Sequence, residues 1–272
     1  MNFNRNLLSR IAVAIIAVPA IVYISLRGGI LILIFTVVLS ILGAIELTNL
    51  FKNINNIFSK LLLIGASVLI IILLYYDKIY LTGAVFLFTV LISAAFGSFS
   101  NDISRLRGVV IESLFAVFYC GFFLAFIPLL TKYPDNGGKW LLSLFVIIWC
   151  SDTAAYFGGK MMGKRKLSPA ISPGKTIEGL WWGFAGAVLS ALIIKSTFLN
   201  NANMYFIVFV AVILSGIGAI GDLFESSLKR NAGIKDSSTL IPGHGGVLDR
   251  FDSVLFAAPT LYLLLGLRDL FC

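Results

Sequence analysis

Six carboxylates stand at the ends of long apolar runs in this chain: Asp152, Glu178, Asp222, Glu225, Asp249 and Asp252. A carboxylate near lipid is costly and needs a partner, so each is a functional candidate by default. The chain holds 3 Cys and 1 His, none of them in metal-ligand spacing. Oxygen donors of this kind suit a hard cation such as Mg²⁺ better than Zn²⁺. Asp222, Glu225, Ser226 and Lys229 share one stripe if the helix that carries them continues, and Asp249 and Asp252 stand one turn apart. Helix capping and dipole compensation would explain those last two taken alone. The density of ionisable residues between Asp222 and Asp252, in a chain otherwise poor in charge, favours a site.

Two polar stretches, about 158–176 and 226–250, separate these acids. The first ends in Pro173-Gly174-Lys175-Thr176 at the start of an apolar run. The P-loop pattern fails, because Pro169 stands where its first Gly belongs and no strand is expected before it. A Gly-Lys-Thr entering a helix nevertheless offers free N–H groups and a cation to a phosphate. Gly158-Gly159 and the two Ser-Pro steps predict a shaped loop rather than a basic strip lying on headgroups. In the second stretch, Gly243-His244-Gly245-Gly246 predicts a turn that lets backbone approach a ligand closely.

The elements that must position these groups are membrane helices. Hydrophobic residues make up 59% of the 272 and charged ones 12%, with a mean hydropathy of +0.98. That charged fraction is roughly half of what a water-facing surface carries. Runs able to cross an apolar layer of about 30 Å lie at about 7–26, 30–48, 61–76, 79–98, 109–131, 140–157, 177–195, 204–225 and 251–271. The expected fold is all-α and polytopic, with about nine transmembrane helices. Runs 61–76 and 79–98, parted by Asp77-Lys78, form either a tight hairpin or a re-entrant pair. The basic, apolar start is expected to be a retained first helix rather than a cleaved signal. With nine spans, 15 of the 21 Lys and Arg fall on the side of the N-terminus. This places the N-terminus in the cytoplasm, the C-terminus outside, and both polar stretches inside. The net charge of +8 then reflects topology and anionic headgroups rather than nucleic acid. Cys120, Cys150 and Cys272 are expected to be packing residues. One membrane domain fills residues 1–272, with 1–100 as scaffold helices, 101–150 as middle helices, and 151–272 as catalytic helices and cytoplasmic loops.

Between Ser227 and Asp252 the chain resembles the phosphatidate cytidylyltransferase (CDP-diacylglycerol synthase) family. Lys229-Arg230, Lys235-Asp236, His244-Gly245-Gly246, Asp249-Arg250 and Asp252 are in register with that family's C-terminal signature. Ser151-Asp152, the stretch Ser172 to Thr176, and Glu178-Gly179 are also similar to it. The resemblance implies transfer of the cytidylyl group of CTP to phosphatidate with Mg²⁺, with room for a second cation, at the inner membrane. It implies Asp222 and Asp249, with Asp252, as metal ligands, and Lys229, Arg230, Lys235 and Arg250 as phosphate holders. Asp236 and His244 join them in the catalytic set. Asp152, Lys164, Ser172, Lys175, Thr176, Glu178, Ser227, Gly245 and Gly246 are the implied substrate-binding residues. Membrane lipids and a second copy of the chain, as a homodimer, are the implied partners.

Two other classes remain open at this point. An ion-coupled transporter would carry its acids near the bilayer midplane, whereas these gather at one end. A CTP-dependent polyprenol kinase or another lipid nucleotidyltransferase would share a phosphate site on the same face. A CDP-alcohol phosphotransferase is excluded, because its DG-x2-AR motif is missing from the sequence.

Overall fold

The computed structural model describes the backbone of residues 2–54, 56–99, 103–238 and 245–271, with side chains from 15 to 269 within those stretches. Each apolar run forms a helical rod, because in lipid every backbone polar group must be satisfied within the segment. The rods are α1 (Asn2–Arg27), α2 (Gly29–Leu50), α3 (Ile57–Tyr75), α4 (Ile79–Ser98), α5 (Ile103–Val117) continuing into α6 (Leu124–Lys132), α7 (Gly137–Met162), α8 (Ile177–Thr197), α9 (Met204–Asn231) and α10 (Leu248–Phe271). Eight of them are long and apolar enough to cross a membrane by length and composition. The chain is therefore a polytopic helical membrane protein.

The connections follow local chemistry. Gly28, at φ 60°, turns α1 directly into α2. Asp77, at φ 58°, closes a tight hairpin between α3 and α4, and Lys132 holds its carboxylate at 2.9 Å. Runs 61–76 and 79–98 are thus two full-length helices rather than a re-entrant pair. Asn56 and Asn203 cap α3 and α9 by accepting backbone N–H groups of the first turn. A π-helical turn, Phe118–Phe123, joins α5 to α6. Such turns mark helices under local constraint and are frequent near functional sites.

The elements alternate between two faces. The ends of α2, α4, α7 and α9 and the starts of α3, α5, α8 and α10 share the face from which α1 departs. Trp140, Tyr119 and Phe145 are fully buried between the helices, whereas Tyr80, Leu87 and Phe88 of α4 point outward as lipid-facing groups do.

Two expectations about the polar stretches are corrected. Residues 158–162 belong to α7, so the first loop spans 163–176; α9 runs on to Asn231 and α10 begins at Leu248, so the second spans 232–247. Gly158 and Gly159 are not loop residues. They let α8 lie close against α7: a Cβ on Gly158 would overlap the Trp182 ring, and one on Gly159 would stand 3.0 Å from Thr176 Oγ1. Small residues at such crossings are how membrane helices pack without a hydrophobic driving force between them. We expect Gly158→Val to destabilise the protein by about 1–3 kcal/mol through overpacking, measured as a lower melting temperature in detergent. The first loop also adds a short antiparallel hairpin, β1 (Lys166–Ser168) with β2 (Ser172–Thr176), pairing Lys166 with Thr176 and Ser168 with Ser172.

Candidate active site

The hairpin delivers Lys175 to α9. Thr176 ends β2 and caps α8, its hydroxyl accepting the Gly179 N–H at 3.1 Å. One residue earlier, Lys175 Nζ lies 2.5 Å from Asp222 Oδ2. Arg230, near the end of α9, donates to the Ile171 carbonyl at 3.3 Å. The first loop therefore lies against the part of α9 that leads into the second loop, as one shared site requires. Loop 163–165 is fastened separately: Glu178 accepts the N–H groups of Lys164 and Arg165 at 3.0 and 3.1 Å. Glu178 and Lys164 thus tie the loop to α8, apart from Lys175 and Asp222, while Ser172 pairs with Ser168 in the hairpin.

Helix α9 runs unbroken through Asp222, Glu225, Ser226 and Lys229, so the stripe expected from their spacing exists. Ser226 Oγ donates to Asp222 Oδ1 at 3.4 Å. Gly221 brings α10 against that stripe, since a Cβ there would stand 2.6 Å from the Asp252 carbonyl. Asp252 consequently lies within electrostatic reach of Asp222, Glu225 and Asp152, and Asp152 within that of Asp222. Four carboxylates from α7, α9 and α10 thus feel one another's charge.

On the loop side of this cluster, Lys229 lies between Glu225 Oε2 and Asp249 Oδ1, at 2.5 Å from each. All three are buried or nearly so, with side-chain exposures of 10% for Lys229, 0% for Glu225 and 8% for Asp249. Asp249 Oδ2 accepts from the backbone N–H of Gly246 at 2.8 Å and of Ser237 at 3.1 Å. As arranged, Lys229 is a buried counter-charge between α9 and α10, and Asp249 a fastener of the second loop. Arg230, Lys235, Asp236 and Arg250 are exposed at the rim, and Ser227 bonds the Phe224 carbonyl. Gly245, at φ 81°, faces Asp249, where a Cβ would come within 2.8 Å of its carboxylate. His244 lies outside the described residues.

Two residues absent from the expected set belong here. Glu46 of α2, 1% exposed, reaches the second loop and the start of α10. Tyr119, in the π-helical turn and 1% exposed, has a hydroxyl with no hydrogen-bond partner among the described residues; it lies within electrostatic reach of Asp252, Glu225 and Asp222. Aromatic packing carries it there, since its ring sits 6.1 Å from those of Phe224 and Phe256. Glu46 had a signal in the sequence, as a lone acid in an apolar run; Tyr119 had none.

The donors fit a hard cation in kind. All are oxygens, and the Glu225 carboxylate, beyond its ion pair with Lys229, receives no hydrogen bond among the described residues. Among those residues no three His, Cys, Asp or Glu side chains are grouped to hold one ion by themselves. Mg²⁺ commonly takes one or two carboxylates and completes its shell with water and substrate phosphate, so this arrangement is compatible with it.

A helical membrane protein with a carboxylate cluster, a lysine-bearing hairpin and a basic rim on one face belongs to the class that handles phosphates at a membrane surface. A family model described as the cytidylyltransferase family matches residues 8–267. The chain is 37% identical over 263 residues to a phosphatidate cytidylyltransferase of Staphylococcus epidermidis, spanning 94% of this chain and 98% of that one. It is 38% identical over 266 residues to one of Staphylococcus aureus, with the same coverage. The chain belongs to the cytidylyltransferase family.

Proposed function

We propose that the chain transfers the cytidylyl group of CTP to phosphatidate, releasing pyrophosphate and leaving CDP-diacylglycerol in the membrane, on its cytoplasmic face. The observation that carries this reading is the meeting of Lys175 with Asp222, which joins the hairpin to the acid cluster in a chain of this family. A phosphatidate oxygen attacks the α-phosphorus of CTP; the bond from that phosphorus to its bridging oxygen breaks, and pyrophosphate leaves. The attacking oxygen is already anionic near neutral pH, so no strong base is required. What remains is to hold two polyanions in line and offset their charge.

Lys175 changes partner from Asp222 to a nucleotide phosphate, and Arg230, Lys235 and Arg250 at the rim face the phosphates of nucleotide and lipid. One or two of Asp152, Asp222 and Asp252 would hold Mg²⁺, with water and substrate phosphate completing its shell. When bound, it supplies charge neutralisation at the phosphate oxygens. Lys229 and Asp249 keep the second loop against α9. Asp152 and Asp222 lie about two to three turns inside the ends of α7 and α9, deeper than their positions at the edges of the apolar runs suggested. An ion relay is still the less favoured reading, because Lys175 of the hairpin reaches Asp222 from the loop face in a chain of this family.

Labelled CTP and phosphatidate, supplied to the purified protein with Mg²⁺, should yield a CDP-lipid and pyrophosphate; neither product forming would refute the reading. Losing one charge-assisted contact, worth about 1.5–3 kcal/mol, should raise the KM for CTP of Lys175→Ala roughly 10–100-fold. An unchanged KM would remove Lys175 from the nucleotide site.

A further inference from the structure

The second loop is held at both ends by carboxylates, and one of them comes from the far end of the chain. Glu46 accepts from Ser238 Oγ at 2.6 Å and the Val247 N–H at 2.9 Å through Oε1, and from the Leu248 N–H at 2.9 Å through Oε2. Ser237 Oγ lies 2.9 Å from Glu46 Oε2 and 3.0 Å from Asp249 Oδ2. That hydroxyl stands between the two carboxylates and donates its single proton to one of them at a time. A continuous, largely buried series results, from Glu225 through Lys229, Asp249 and Ser237 to Glu46. Gly246 completes it, because a Cβ there would stand 2.5 Å from Glu46 Oε2.

We infer that Glu46 is a positioning residue for the reaction: it sets the height and angle at which the second loop and the start of α10 present Asp249, Arg250 and Asp252. The inference rests on the proposed function for its activity readout. Burying a carboxylate at 1% exposure is unfavourable unless donors surround it, and here they do: two hydroxyls and two N–H groups at a helix start, where negative charge is favoured. A residue needed only to fill space between α2 and α10 would be apolar. Glu46 touches neither Lys175 nor the acid cluster, and so acts through Ser237, Ser238 and the 247–248 backbone.

Glu46→Gln tests this in the full-length protein, because the amide keeps the shape but turns an N–H₂ toward donors. Backbone hydrogen exchange at Val247 and Leu248 should accelerate about tenfold or more. The kcat should fall about 100-fold, the scale on which a displacement of roughly 1 Å acts, with a smaller change in KM for CTP. The melting temperature should fall modestly, for the buried donors left unpaired, while exchange elsewhere in α2 stays near wild type; a merely structural role would raise that exchange throughout α2. Wild-type kcat, or unchanged exchange at both amides, overturns the inference. Should Glu46→Gln fail to fold, the double variant Ser237→Ala/Ser238→Ala removes the hydroxyl donors and keeps the carboxylate at the α10 start. A roughly tenfold lower kcat would then support the inference, and full activity would overturn it. If the wild type makes no CDP-lipid, the functional reading fails while the exchange measurement still decides the clamp.

Discussion

Asp222→Asn should lower CDP-lipid formation by about 1,000-fold or more while the protein inserts, purifies and melts as wild type does. Removing a single fixed group that stabilises developing charge already lowers turnover by about 100–1,000-fold in other enzymes; here the change also disturbs the seat proposed for a cation. The fold should tolerate it. Asp222 is about one-third exposed and holds Lys175 at 2.5 Å from the rim side, so the asparagine leaves no buried lysine stranded. Asn preserves the shape and accepts the Ser226 hydroxyl as Asp does. Turnover within tenfold of wild type in a well-folded variant would show that the acid cluster is not the catalytic centre.

Asp249→Asn should fail differently, losing activity and stability together. Asp249 balances the buried Lys229 and accepts the Gly246 and Ser237 N–H groups. Its neutral replacement leaves Lys229 with Glu225 alone and turns an amide N–H₂ either toward the ammonium or toward those donors. Breaking a buried pair by removing one partner costs about 3–5 kcal/mol. The melting temperature in detergent should therefore drop clearly below that of Asp222→Asn, and turnover should be lost with it. A variant melting with the wild type would remove Asp249 from the role of fastener and return it to the open cluster. The contrast between the two variants separates a group that faces substrate from one that fixes the loop beside it.

Which parts of this were written in the sequence follows from how local their causes are. A helix that crosses lipid must satisfy its backbone internally and be apolar along its length, so all nine runs could be seen in the composition, and each became a rod. The stripe on α9 was equally legible, because helical periodicity alone places Asp222, Glu225 and Lys229 on one face. The hairpin at 166–176 was not legible, since two prolines and a glycine conceal any alternation and the pairing involves only a few residues. Nor were the helix ends: the Gly158-Gly159 pair resembles a turn until Trp182 is seen packed against it.

The sequence by itself determined a helical membrane protein with acids and bases concentrated toward one side of its apolar runs, since length, hydropathy and periodicity act within one segment; that α7 and α9 run on well past Asp152 and Asp222 was not legible. Only the tertiary structure decided which of those charges meet. Lys175 could have faced solvent instead of Asp222, and Glu46, 191 residues from Ser237, could have paired with any nearby lysine. Those choices depend on how close two helices approach, which small residues such as Gly221 and Gly246 set. No one-dimensional pattern reports that distance.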